Sequence, residues 1–344
     1  MQKYNILQVV KYLETLVKIP SPTGFTQKVQ NFLCQNAESK KISYKETRKG
    51  SILYEFSGSK HNKKNIMIAS HVDTLGAVVC QVEKDLLRLS SIGGYPLIYV
   101  IGDYCIVHTL EGKEYTGTIL PDNPAAHVNK DLKNNTTLSF ENIHLRMDLP
   151  LQKKQTLKDH VQNGSFVSFD PHFHHTNGFI KSRHLDDKAS AATMLYIADL
   201  LKDDPALLDS LKANVYLYFN VTEETSQGVA GFPEIDELLV MDMGCVGKNL
   251  EGNEYSVSIC MKDSHGPYHY GMTKKLIDLA KKNKIPHVVD IFPFYGSDGS
   301  MALQSGKDIQ VALIGPGVSA SHGYERTHEK GLLATLQLTL AYLI

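Results

Sequence analysis

Apolar positions in this chain follow two rhythms. Near its start, Ile6, Val9, Val10, Leu13, Leu16 and Val17 recur at helical spacing, which predicts an amphipathic helix over 6–17 facing a core. Pro20-Ser21-Pro22 ends that helix, because proline lacks a backbone donor and restricts the residue before it. Val29, Phe32 and Leu33 predict a second helix over 25–37. Short unbroken apolar runs predict buried strands at 51–56, 66–69, 214–221, 237–241, 255–261, 285–292 and 309–314. Helices predicted over 188–202, 268–283 and 332–343 interleave with them, as in an α/β layered fold.

Between residues 77 and 177 both rhythms are lost. Threonine, valine and glycine are frequent there. Turn signals recur at Gly93-Gly94, Glu111-Gly112, Pro121-Asp122-Asn123-Pro124 and Asn163-Gly164. This predicts a small all-β domain, a barrel or a sandwich. Candidate chemistry flanks it on both sides, so the simplest organisation is an insertion. Residues 1–76 and 178–344 would form one domain and 77–177 the inserted one. Pro171-His172-Phe173-His174-His175 reads as an exposed rim of the insert, and Gly315-Pro316-Gly317 as a turn.

Bulk numbers narrow the function. The 344 residues exceed what one core usually holds, which supports two domains. Net charge is −1, with 36 basic and 37 acidic residues, and nothing in that balance points to nucleic acid or an anionic membrane. Five cysteines at 34, 80, 105, 245 and 260 form no Cys-x-x-Cys pair, so reduced thiols and a cytoplasmic location are expected. No signal-peptide pattern or membrane-length apolar run is visible.

Polar residues gather where the predicted strands end. The strand at 66–69 runs into His71 and Asp73, that at 214–221 into Glu223 and Glu224, and that at 237–241 into Asp242. Asp186 and Asp187 precede a helix, and His328 lies just before the last one. A carboxylate pair at a strand end is ordinarily just solvated, and an aspartate before a helix ordinarily caps it. Taken together, however, these imidazoles and carboxylates make up the ligand set of a two-metal hydrolytic site, suited to zinc or cobalt. Such a site needs a carboxylate shared between two ions roughly 3.5–4 Å apart, with water between them. It also needs one further carboxylate off the metals as general base.

The order His71-x-Asp73, inserted β domain, Asp186-Asp187-Lys188, Glu223-Glu224, Asp242, His328 resembles the tetrahedral (deblocking, glutamyl) aminopeptidases, a branch of the dinuclear zinc exopeptidases. The segments Val161-x-Asn-Gly-x-x-Val167-x-Phe169 and Gly178–Lys188 extend the likeness. The resemblance implies a zinc-exopeptidase α/β/α core with an inserted, barrel-like β domain that mediates assembly. It implies two divalent ions bridged by Asp186, and it allows a cis peptide to Asp187. His71 and Asp242 would complete one metal site, and Glu224 and His328 the other. Glu223 would be the general base, and Asp73 would orient His71. Gly296-Ser297-Asp298 resembles a Gly-Thr-Asp loop, so that Ser297 and Asp298 would line the substrate groove. A homo-oligomer, commonly a twelve-subunit tetrahedron, is also implied.

The chain departs from the family pattern around the substrate. Thr222 precedes the glutamate pair where Gln is usual, Thr225-Ser226 follows it where Val-Gly is usual, Lys188 replaces Arg, and Glu329 replaces Ser or Thr. The expected activity is a metal-dependent aminopeptidase acting on peptides. The alternatives are a dinuclear amidohydrolase or deacylase of a small amide, a glycosidase using the glutamate pair, and a non-catalytic scaffold. Adjacent glutamates are poorly placed to flank a sugar bond, and a scaffold would be expected to have lost ligands. No Gly-x-Ser-x-Gly elbow or Gly-x-x-x-x-Gly-Lys loop suggests serine or nucleotide chemistry.

Overall fold

A computed structural model of the chain describes residues 4–58, 64–133 and 137–344. Its described residues form a mixed α/β architecture, with a twelve-stranded sheet and a closed six-stranded barrel. At the centre of the sheet, Asn65–His71 lies between Asn214–Asn220 and Glu237–Met241, parallel to both. Gln310–Ser319 continues the parallel set beyond Glu237–Met241. These strands are apolar on both faces because both faces are covered.

Side chains of alternate sign in the pleat go to different cores. Ile66, Ile68, Leu217, Phe219, Leu239 and Met241 join the core that also takes helices Ile6–Val17, Gln27–Lys40, Leu185–Asp203, Tyr270–Lys282 and Glu329–Leu343. Met67, Ala69, Tyr218, Val240 and Leu313 face the opposite core, where Ala302 of the short helix Asp298–Gln304 packs with Val229, Ile235, Tyr268 and Phe292. Leu185–Asp203 is buried almost all round, so it needs no polar face. The side chain of Lys188 on that helix is buried as well, and its Nζ donates to the carbonyls of Leu16 and Ile19, at and just past the end of the first helix.

The barrel takes strands between Gly76 and Phe169 and has its own core, with Val79, Leu89, Val107, Leu145 and Val167 inward. The histidine run behaves differently from its reading as a rim of the insert. His174–Thr176 is an exposed edge strand of the larger sheet, paired with Phe179–Ser182. Gly315-Pro316-Gly317 is not a turn, because it lies inside Gln310–Ser319. Its glycines serve close approach. A Cβ on Gly315 would lie 1.7 Å from the Asp242 carbonyl oxygen, and one on Gly317 would lie 2.0 Å from that of Asn253.

Candidate metal centre

The parallel strands deliver their polar ends to one place. Asn220 is in register with His71, and Met241 with Ile314, so the carboxyl ends of neighbouring strands are level. Ligand sites of open α/β sheets sit at such ends. The 214–220 strand ends before Thr222, and the turn that follows lets Glu223 and Glu224 serve the same side. Asp73 holds this turn. One of its oxygens accepts the backbone N–H of Glu223 at 3.2 Å, and the other that of Glu224 at 3.3 Å and the Thr23 hydroxyl at 2.6 Å.

Asp186 is the hub. Its Oδ1 lies 3.1 Å from Nε2 of His71, and its Oδ2 lies 3.4 Å from Nε2 of His322. Glu224 Oε2 is 3.7 Å from the same His322 nitrogen, and Glu223 Oε2 is 3.8 Å from His71 Nε2. The donor atoms of His71, Asp186 and Asp242 all lie within 4.8 Å of one another, a set that one cation could hold. The peptide between Asp186 and Asp187 is cis. Asp187 turns away, and its Oδ2 accepts the Ser70 hydroxyl at 2.7 Å.

Each imidazole is fixed from behind. His71 Nδ1 faces the Asp73 carbonyl at 3.1 Å and its carboxylate at 3.5 Å. His322 Nδ1 faces the carbonyl of Gly94, which belongs to a barrel loop. In both residues this leaves Nε2 as the nitrogen turned toward the carboxylates.

His328, the histidine expected at this position, lies elsewhere. It pairs with Phe179 across the sheet, packs between the rings of Phe179 and Tyr255, and accepts the Lys330 N–H at 3.0 Å through Nδ1. There it caps the last helix. His322 takes the expected place because the Gln310–Ser319 strand ends three residues before it, so the strand-end rule that found His71 and Asp242 also points to His322. His328, by contrast, ends an antiparallel return strand. Asp298 differs too. Gly296 and Ser297 line the cavity, but the Asp298 carboxylate lies behind it, accepting Asn220 Nδ2 at 2.7 Å. The Ser297 hydroxyl caps a helix and lies 2.8 Å from the Tyr268 hydroxyl.

Sequence reading also gave Glu325 no role. Its oxygens accept the backbone N–H groups of Asp186 and His322.

The electrostatics are those of an anionic cluster short of cations. Burial pushes Asp242 up to about 7 and Glu224 up to about 8, and carries Glu223 well above the carboxylate range. Burial opposes the charged form of His71, but the Asp186 and Asp73 carboxylates outweigh it and hold the ring well above its usual value. His322 is raised to about 11, its burial overcome by Asp186 and Glu224. No lysine or arginine is among the described residues lining this cavity of about 360 Å³. Four carboxylates and two imidazoles without a lysine or arginine suit divalent ions of the zinc and cobalt type.

A profile of the M42 glutamyl aminopeptidases matches residues 50–338. The chain belongs to the M42 glutamyl aminopeptidase family. It is 39% identical, over 98% of both chains, to the candidate aminopeptidase YhfE of Bacillus subtilis (strain 168). Its fold is that of an aminopeptidase from the archaeon Desulfurococcus kamchatkensis, with TM-score 0.84 and 21% identity over 98% of this chain and 95% of that one. It is also that of the Pyrococcus horikoshii TET1 peptidase, with TM-score 0.81 and 19% identity over 98% and 99%. This M42 chain is therefore a metal-dependent aminopeptidase, and membership does not favour the deacylase, glycosidase or scaffold readings. No helix among its described residues is long and apolar enough to cross a membrane.

Proposed function

We propose that this M42 peptidase removes N-terminal residues from peptides at a pair of zinc or cobalt ions. His71, Asp242 and one oxygen of Asp186 would hold one ion. The other oxygen of Asp186, Glu224 and His322 would hold the second, with His322 in the role first expected of His328. When bound, such ions lower the pKa of a water and polarise a carbonyl.

The chain's own groups do the rest. Glu223 would accept the proton of the attacking water and pass it to the leaving amine. Asp73 would keep His71 in one tautomer while tying the base and a ligand to one turn through their amides. The observation that carries the reading is the split of Asp186, whose two oxygens each face a different histidine at 3.1 and 3.4 Å.

The same proposal includes assembly into a homo-oligomer, up to twelve subunits, and a cytoplasmic location. Assembly is supported by the TET1 relative, which can form a tetrahedron or a large octahedral shell. The location is supported by five cysteines that are all free. The test is to strip the protein with chelator, reload it with zinc, cobalt or manganese, count bound ions by elemental analysis, and assay aminoacyl and N-acyl amides. Two ions per chain and metal-dependent aminoacyl turnover are expected. Turnover of N-acyl amides alone would overturn the reading.

A further inference from the structure

We infer that the N-terminal side chain this enzyme accepts is uncharged and apolar, of the leucine, methionine or phenylalanine class, and not acidic. This rests on the aminopeptidase reading and concerns the part of the cavity that the metal-ligand set leaves over. That part is walled by Pro96, Met243, Cys245, Phe294, Tyr295 and Met301.

An acidic side chain would need a cation or several free donors there, since an unpaired buried carboxylate is strongly disfavoured. Among the described residues, the lining holds no lysine or arginine, and its free donors come down to the hydroxyls of Ser226 and Ser321. The Tyr295 hydroxyl is already given to the Met243 carbonyl at 3.1 Å. The Ser297 hydroxyl is engaged by Tyr268 and by the helix it caps. Lys49 lies behind the glutamate turn, where its Nζ donates to the carbonyls of Gln227 and Gly228 at 3.0 and 2.9 Å. Glu223, the carboxylate left off the ions, lines the same cavity and would repel a further anion.

Phe294 supplies the positive argument. The residue is 97% exposed, more than any other large hydrophobic residue described, and it stands at the lip of this cavity. A ring in water at a pocket mouth gains when an apolar side chain covers it. Met301, which lines the same cavity, is flexible enough to fit side chains of different shape.

The test is a panel of aminoacyl p-nitroanilides with the metal-loaded enzyme. Leucyl, methionyl or phenylalanyl kcat/KM should exceed glutamyl kcat/KM by about 100-fold, the scale on which such pockets discriminate. In Phe294→Ala the leucyl-to-alanyl ratio should fall about tenfold. In Met301→Arg the glutamyl-to-leucyl ratio should rise by about tenfold or more. Circular dichroism, metal content and assembly size are checked for each variant. Glutamyl turnover equal to or above leucyl, or unmoved ratios in folded, metal-loaded variants, overturns this inference alone. Absence of turnover on every aminoacyl amide overturns it together with the aminopeptidase reading.

Discussion

Glu325 accepts the backbone N–H of Asp186 through Oε2 at 3.0 Å. Its other oxygen accepts that of His322 at 3.1 Å, so one buried carboxylate sets the spacing of two side chains that face each other. Glu325→Gln replaces one acceptor with an amide donor pointed at an N–H. Metal affinity should fall about 10–100-fold, as for other residues that position ligands from behind. Isothermal titration with zinc checks this, and Glu325→Asp should recover part of the loss.

The two candidate histidines make opposite predictions. His322→Ala should bind one ion fewer and lose at least about a hundredfold in kcat/KM, a loss on the scale of several kcal/mol of transition-state stabilisation. His328→Ala should keep both ions. Its cost is a helix cap and ring packing against Phe179 and Tyr255, about 1 kcal/mol of stability. Metal counting and denaturant unfolding separate the two.

Glu223→Gln keeps the shape of the turn, because Asp73 binds the backbone of residue 223 and not its side chain. The variant should retain its ions and lose about 10²–10⁴-fold in kcat. Stopped assays alongside elemental analysis distinguish a lost base from a lost metal.

Stability of the metal-free protein should depend on pH in an unusual direction. Burial raises Asp242 to about 7 and Glu224 and Glu325 to about 8. Across that window the folded state holds protons that the unfolded chain has released, so stability declines as pH rises. Asp186, held low by His322 and His71 against its burial, acts the opposite way only in stronger acid, and Lys188, lowered by burial to about 7, offsets part of the decline. The chelated protein should therefore melt at a lower temperature at about pH 8.5 than at about pH 5.5. Reloading with zinc should reverse the order, because ions bind the deprotonated ligands. Scanning calorimetry at the two pH values decides it.

Most of the sheet could be read from the chain because its central strands are buried on both faces and leave unbroken apolar runs. The edge strand Ser43–Glu46 could not, since Tyr44 is its one apolar position and it exists by pairing with Ile52–Phe56. Gly315 and Gly317 misled because glycine marks both turns and close backbone approach, and only the neighbouring Asp242 and Asn253 carbonyls distinguish these. The convergence of His71, Asp186, Glu224 and Asp242 followed from strand ends and an ordered motif. The exchange of His328 for His322 turned on where the last long strand stops, which the supposed turn at 315–317 had hidden. Glu325 left no local signal, because its partners are backbone amides 139 and 3 residues away.

The carbonyl that steadies His322 comes from Gly94, on the barrel. A Cβ on the neighbouring Gly93 would also crowd Leu75 and the Glu224 carbonyl. The inserted module is thus a structural tenant of the reaction chamber as well as a candidate for joining subunits. A trimmed protein lacking it would lose the carbonyl that holds His322 Nδ1 and leave that imidazole free to rotate.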